Sequence, residues 1–224
     1  MPISVIQAAL LWGGFSGNFP NNVSNLSTIL FGVTAYNAAG AAISSNTPLY
    51  NGATPTGSAL LKGIQSPVSG GDSVYSAAWM LPDVAGGAKS VGITVPNGNN
   101  VSSTGLVAIE VAGLGASPVL DQFSVDSAST GAPTSGMTPD ITEDPELIFA
   151  VAACFAQSIT PPGAPFTDYQ AGLDYGAVGW QIVTSSGAGY EYNCTGGGAT
   201  WCDLIVTIAG TSAAPKGNLL IASL

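Results

Sequence analysis

The side chains best equipped for chemistry in this chain are its carboxylates. Thirteen Asp and Glu stand against three basic residues, Lys62, Lys89 and Lys216, and there is no Arg and no His. Without imidazole, the usual Ser-His-Asp triad, the Cys-His pair and His-built metal sites are out of reach. Without Arg, and with three scattered Lys, no phosphoryl-transfer clamp can be assembled. No phosphate-loop or dinucleotide glycine motif occurs, and Gly196-Gly197-Gly198 lacks the helix start that would make it a phosphate cradle. What remains is glycosidase-type chemistry, which needs two carboxyl groups roughly 5–10 Å apart. Glu110, Glu143, Glu146, Glu191 and various Asp are the candidates.

Each candidate has a plainer role. Asp140, Glu143, Asp144 and Glu146 form the one acidic cluster, but their spacing is not that of an EF-hand calcium loop. The cluster reads as a solvated turn before a buried strand, with Asp144-Pro145 closing the loop. Asp121 reads as a turn residue that bonds backbone. Glu191 lies between Tyr190 and Tyr192, and with Trp201 these rings could stack on sugar faces; an exposed hairpin of large side chains is the ordinary alternative. The expectation is a non-enzymatic chain with no catalytic residue, no cofactor and no metal site.

Three cysteines complete the inventory. Cys194 and Cys202 flank Thr-Gly-Gly-Gly-Ala-Thr-Trp, which could turn as a hairpin and bring them within disulfide reach. Two free thiols in a reducing compartment are the equal alternative. Cys154, in Ala-Val-Ala-Ala-Cys-Phe, reads as a small buried hydrophobe. The absence of a CxxC pair removes zinc and redox motifs.

The elements that must position these residues are strands. Apolar residues alternate, or come in short runs closed by Gly, Pro, Asn and Ser. Val107, Ile109 and Val111 share one face; so do Val178, Trp180 and Ile182, and Leu204, Val206 and Ile208. Leu147 to Ala152 is nearly all apolar, as in a strand covered on both sides. Further strands are expected over Ile3 to Trp12, Thr28 to Tyr36, Leu60 to Gln65, Val74 to Met80, Ser90 to Val95 and Asn218 to Ala222. Turns fall at Gly70-Gly71-Asp72, Ala85-Gly86-Gly87, Pro96-Asn97-Gly98-Asn99 and Ser185 to Gly189. Ser124 to Asp144 reads as a long polar loop through which a solvent-facing strand could run. The fold expected is all-β, an antiparallel β-sandwich or jelly roll. Residues 23–224 form one domain, and residues 1–22 are either an N-terminal arm carrying Phe15 and Phe19 or an edge strand with its loop.

Composition narrows function by exclusion. Hydrophobic residues make up 46%, enough for a core, but only 7% are charged, against roughly 25% in ordinary soluble domains. The surface is therefore built from hydroxyls, amides and bare backbone. A net charge of −10 with three cations argues against nucleic acid and against anionic membranes as partners. No apolar run reaches transmembrane length. The start has no basic region and no clear cleavage site, so no signal peptide is expected.

Ser102-Ser103-Thr104-Gly105-Leu106-Val107-Ala108-Ile109-Glu110-Val111-Ala112-Gly113-Leu114 is followed by Ser117-Pro118-Val119-Leu120-Asp121. A Ser/Thr/Gly stretch, Thr138-Pro139 and then Pro145-Glu146-Leu147-Ile148-Phe149-Ala150-Val151 come next. This series resembles a β-sandwich domain of phage virion proteins, especially minor tail proteins of phages of actinobacteria. It covers about Val74 to Phe155. The resemblance implies a concanavalin-like or jelly-roll sandwich on the particle surface, and it transfers no catalytic residue. The expectation is a virion structural protein, in the tail or decorating the capsid, assembled in the host cytoplasm and exposed on the virion exterior. Its expected partners are other virion proteins and itself as a homo-oligomer. The alternatives are an adhesin domain that binds host cell-wall glycan through Tyr190, Tyr192 and Trp201, and a glycoside hydrolase-like domain.

Overall fold

Short apolar runs with two-residue periodicity bury their side chains by pairing into sheets, and the described residues do so. The computed structural model describes residues 2–12, 16–37, 47–68, 73–94, 101–171 and 175–210, and among these there is no helix. The strands are β1 (Ser4–Trp12), β2 (Ser16–Asn18), β3 (Ser27–Asn37), β4 (Thr47–Tyr50), β5 (Ala59–Pro67), β6 (Ser73–Val84), β7 (Ser90–Thr94) and β8 (Val101–Ala112), followed by β9 (Val119–Ala128), β10 (Glu146–Cys154), β11 (Ile159–Thr160), β12 (Thr167–Ala171), β13 (Gly176–Val183), β14 (Thr195–Gly196) and β15 (Trp201–Ala209).

Two five-stranded antiparallel sheets form a β-sandwich. One has the order β1-β8-β3-β6-β5 and the other β12-β13-β10-β15-β9. Leu30, Val107, Ile109 and Val111 from the first sheet meet Leu147, Phe149, Val151, Val178, Leu204 and Val206 from the second. The expected faces of β8 and β15 are those that point inward. Gly32 on β3 lets the sheets approach: a Cβ there would lie 2.8 Å from Val178 Cγ2 and 3.1 Å from Phe149 Cζ.

Both sheets are apolar on their outer faces too, so each needs a cover. A three-stranded sheet, β2-β7-β4, lies over the first. Its Val91 and Ile93, with Phe19 and Val23 from the segment between β2 and β3, pack on Ile29, Phe31, Val33 and Leu81. Segments around Ile141 and Tyr190–Cys194 cover the second, packing on Ile148, Ala150, Ala152 and Ile205. This double cover explains why β10 is buried at every position.

The strand expectations hold wherever residues are described; Asn218 to Ala222, the turns at 70–72 and 96–99, and Phe15 lie outside them. The polar stretch from Ser124 begins inside β9, and only its remainder is loop. Residues 2–12 and 16–22 are built into the sandwich rather than extended as an arm: β1 pairs with β8 from Ser4 to Trp12, and Phe19 is buried.

Candidate functional site

The carboxylates are distributed by the pleat, and most are engaged. Glu110 points away from the inter-sheet core, as its place in β8 requires, yet it is fully buried. It accepts hydrogen bonds from Gln7 Nε2 (2.5 Å), the Ser24 amide (2.7 Å) and Ser27 Oγ (2.9 Å). Gln7 is itself tied to the Asn21 backbone by two further bonds. The carboxylate thus pins β1 and the loop before β3 to the first sheet.

Asp121 and Glu146 form a second centre at one end of the outer face of the second sheet. Asp121 accepts from the Thr142 amide (2.8 Å) and hydroxyl (2.7 Å). Burial works against its charge, but these bonds outweigh that and hold the carboxyl below its ordinary range. Glu146 is fully buried; its Oε1 accepts from the Glu143 amide at 3.0 Å, and its Oε2 has no donor. Burial raises its carboxyl, the Thr207 hydroxyl and Glu143 amide offset this in part, and the adjacent Asp121 adds to it. The acidic turn is therefore solvated at Glu143 and Asp144 but buried at Glu146.

Asp203 is the third centre, and sequence reasoning missed it. It lies in β15 opposite Asp126 of β9 and Ala152 of β10. It is fully buried, and neither oxygen has a hydrogen-bond partner. Burial pushes its carboxyl well above the ordinary range; the nearby Leu204 amide eases this a little, and the charges of Asp126 and Glu191 add to it. The signal in the sequence was a lone acid among the apolar residues Trp201 to Ala209.

The aromatic trio does not offer a stacking platform. Tyr192 is fully buried: its hydroxyl donates to Asp168 Oδ1 (2.9 Å), and Phe166 meets its ring edge-on at 5.0 Å. Trp201 is buried, with Nε1 donating to the Thr130 carbonyl at 3.0 Å. Tyr190 alone is half-buried. The loops that cover the second sheet need these rings as core, so Tyr192 and Trp201 have no free face for a sugar. Of the two readings left open for the cysteines, the structure has the free thiols. Cys194 and Cys202 are free thiols, as is Cys154. Cys202 packs with Val74 and Ala153, its Sγ 3.4 Å from Ser76 Oγ, whereas Cys194 belongs to the layer with Tyr192. Burial drives both thiols upward, that of Cys202 to about 12.

The surface depressions formed by described residues include two with different linings. One, of about 720 Å³, runs between the turn after β4 and the β6–β7 connection, lined by Tyr50, Asn51, Thr56, Pro82 and Asp83 among others. Tyr50 is fixed there by donating to the Ala85 and Ala88 carbonyls, at 2.9 and 3.3 Å. Asn51 and Asp83 hold left-handed backbone, with φ of 53° and 51°. The other, of about 560 Å³, is an uncharged notch lined by Ser4, Val5, Pro165, Thr167, Trp180, Gln181 and Ile182. Neither is lined by two carboxyl groups. Among the described residues no three of His, Cys, Asp and Glu converge as metal ligands, and no helix is long and apolar enough to cross a membrane.

Comparison with known proteins finds no matching family model, no similar curated protein and no similar solved structure.

Proposed function

We propose that this chain is a structural component of a phage virion exterior, in the tail or decorating the capsid, whose task is to hold shape and join neighbours. The observation that carries this reading is how the acids are used. Glu110, Glu146 and Asp203 are buried inside a stiff double-covered sandwich, and neither described depression holds the two facing carboxyl groups that hydrolysis needs. A surface of hydroxyls and amides supports the same reading, because subunit contacts made from it desolvate few charges. The resemblance of the stretch from Val74 to Phe155 to phage tail sandwich domains supplies the particle. The test is immunogold labelling of purified particles with antibodies to the folded chain. Regular label on tail or head is the expected result; particles free of label and of the chain by mass spectrometry refute the reading.

Host glycan binding is the second reading, and one feature favours it: the groove at Tyr50, Asn51, Thr56 and Asp83 combines a fixed aromatic ring with amide, hydroxyl and carboxylate groups. Cell-wall fragments that bind the native protein but not an Asp83→Ala/Asn51→Ala double variant would support it; equal binding by both would remove it.

A further inference from the structure

Four strands bound the two main sheets: β1 and β12 at one side of the sandwich, β5 and β9 at the other. A free strand edge offers unpaired amides and carbonyls to any passing chain, and soluble proteins guard it with charge, proline, bulges or brevity. Three of these edges are guarded. β5 carries Lys62, Pro67 and a register shift; β9 carries Asp121, Asp126 and a register shift; β12 has five residues.

β1 is different. It has nine residues with no charge and no proline. Its one irregularity falls between Val5 and Gln7, leaving Gln7 to Trp12 in unbroken register with β8. Among the described residues no strand pairs with its outer edge. Val5, Ala8 and Leu10 are only partly buried against the main core. Beside them Ile6 is 47% and Ile182 39% exposed, and Tyr169 stacks on Trp180 at 5.3 Å. The core is open along this side.

We infer that β1 is a docking edge, and that its occupant is β1 of a second copy, paired antiparallel about a two-fold axis. The inference rests on the reading of the chain as an assembling particle component and names the surface used. Charge selects the occupant. Each copy carries −10, so two copies repel wherever their acids face one another, yet residues 1–61 contain no charged side chain. The nearby carboxylates are withdrawn: Glu110 is buried beneath Gln7, and Asp168 is bonded to Tyr192 and the Gly163 amide. A two-fold interface sets one patch against itself, which suits an uncharged strand and penalises a charged one. The pairing would join two five-stranded sheets into one of ten.

The test is native mass by light scattering across a concentration series, on the full chain and on three variants, Ile6→Lys, Ile182→Lys and, at the guarded edge, Val125→Lys. Circular dichroism melts confirm that each is folded, and all three positions are already exposed. The expected result is a dimer for the native chain and for Val125→Lys, with dimer affinity at least about tenfold weaker for Ile6→Lys and Ile182→Lys, since like charges are then brought together. Hydrogen exchange of the β1 amides should slow as concentration rises. A monomer at every concentration overturns the inference. So does a dimer that survives both β1-side variants, or one lost only in Val125→Lys. Particles that carry label while the purified chain stays monomeric would sink the β1 pairing and leave the virion reading standing.

Discussion

Replacing Asp203 by Asn should stabilise this protein at neutral pH, an unusual outcome for a substitution in the middle of a core strand. Asp203 is fully buried, its two oxygens lack partners, and Asp126 and Glu191 repel any charge placed on it. Burial therefore raises its carboxyl above the unfolded value of about 3.9. With the folded pKa above the unfolded one, the native state holds a proton that the unfolded chain has released. Stability is then fully present below about pH 4 and declines as pH rises toward the folded pKa, by at most about 1.4 kcal/mol per pH unit for one proton. Asn keeps the shape and neutrality of the protonated acid and abolishes this slope. The variant should match the native protein within about 1 kcal/mol at pH 4, the scale of one exchanged hydrogen-bonding group. By pH 7 it should be the more stable of the two, by at most about 4 kcal/mol, which is three pH units at the limiting slope. Urea unfolding followed by tryptophan fluorescence from pH 4 to 8 reads both numbers. A variant that is less stable at pH 7, with the native pH slope unchanged, would refute the reasoning, for it would show Asp203 ionised and compensated in the native state.

Glu110 should behave in the opposite way. Glu110→Ala leaves Gln7, Ser24 and Ser27 without their acceptor and should cost about 3–5 kcal/mol in urea unfolding; a loss below 1 kcal/mol would show that the pin on β1 is not needed. Gly32→Ala puts a methyl group against Val178 and Phe149 and should cost about 1–3 kcal/mol by overpacking, read as a lower melting temperature; an unchanged melt would mean the sheets can part freely there. The three thiols should be unreactive to a disulfide reagent in the folded protein and all react once it is unfolded without reductant; two thiols missing from that count would reveal a disulfide.

The sandwich was legible because two-residue periodicity is a direct consequence of the pleat. Val107, Ile109 and Val111 had to share a face, and so did Leu204, Val206 and Ile208; both sets point into the inter-sheet core. The unbroken apolar run from Leu147 showed that a strand was covered twice. It did not show by what. The cover is made from irregular chain around Ile141 and Tyr192 that carries no periodicity to read. That is also why Tyr192 and Trp201 looked available for sugars: an aromatic residue in a Gly-rich, polar stretch reads as exposed unless the surface beneath it is known to need burying. Spacing also left Cys194 and Cys202 open between a disulfide and two thiols. Their spacing fits a hairpin, but the chain between them forms β14, which pairs with β11 instead of folding back on β15.

The buried acids show where local reading reaches its limit. On β15 the inward row, Leu204, Val206 and Ile208, is conspicuous; the alternate row, Trp201, Asp203, Ile205 and Thr207, is half polar, and alternation alone would turn it to solvent. The structure places that row beneath the loop layer, with Glu146 on the same face farther along the sheet. A half-polar row is compatible with water or with a polar-lined cover, and only long-range packing chooses between them. The first sheet repeats the logic at Glu110, where the choice is resolved by three donors. At Asp203 no donor resolves it, so the cost is carried as a retained proton. Asp203 thus contributes stability that is fully present in acid and declines as pH rises toward its folded pKa, whereas Asp121, held below its ordinary range by Thr142, contributes stability that is lost in acid.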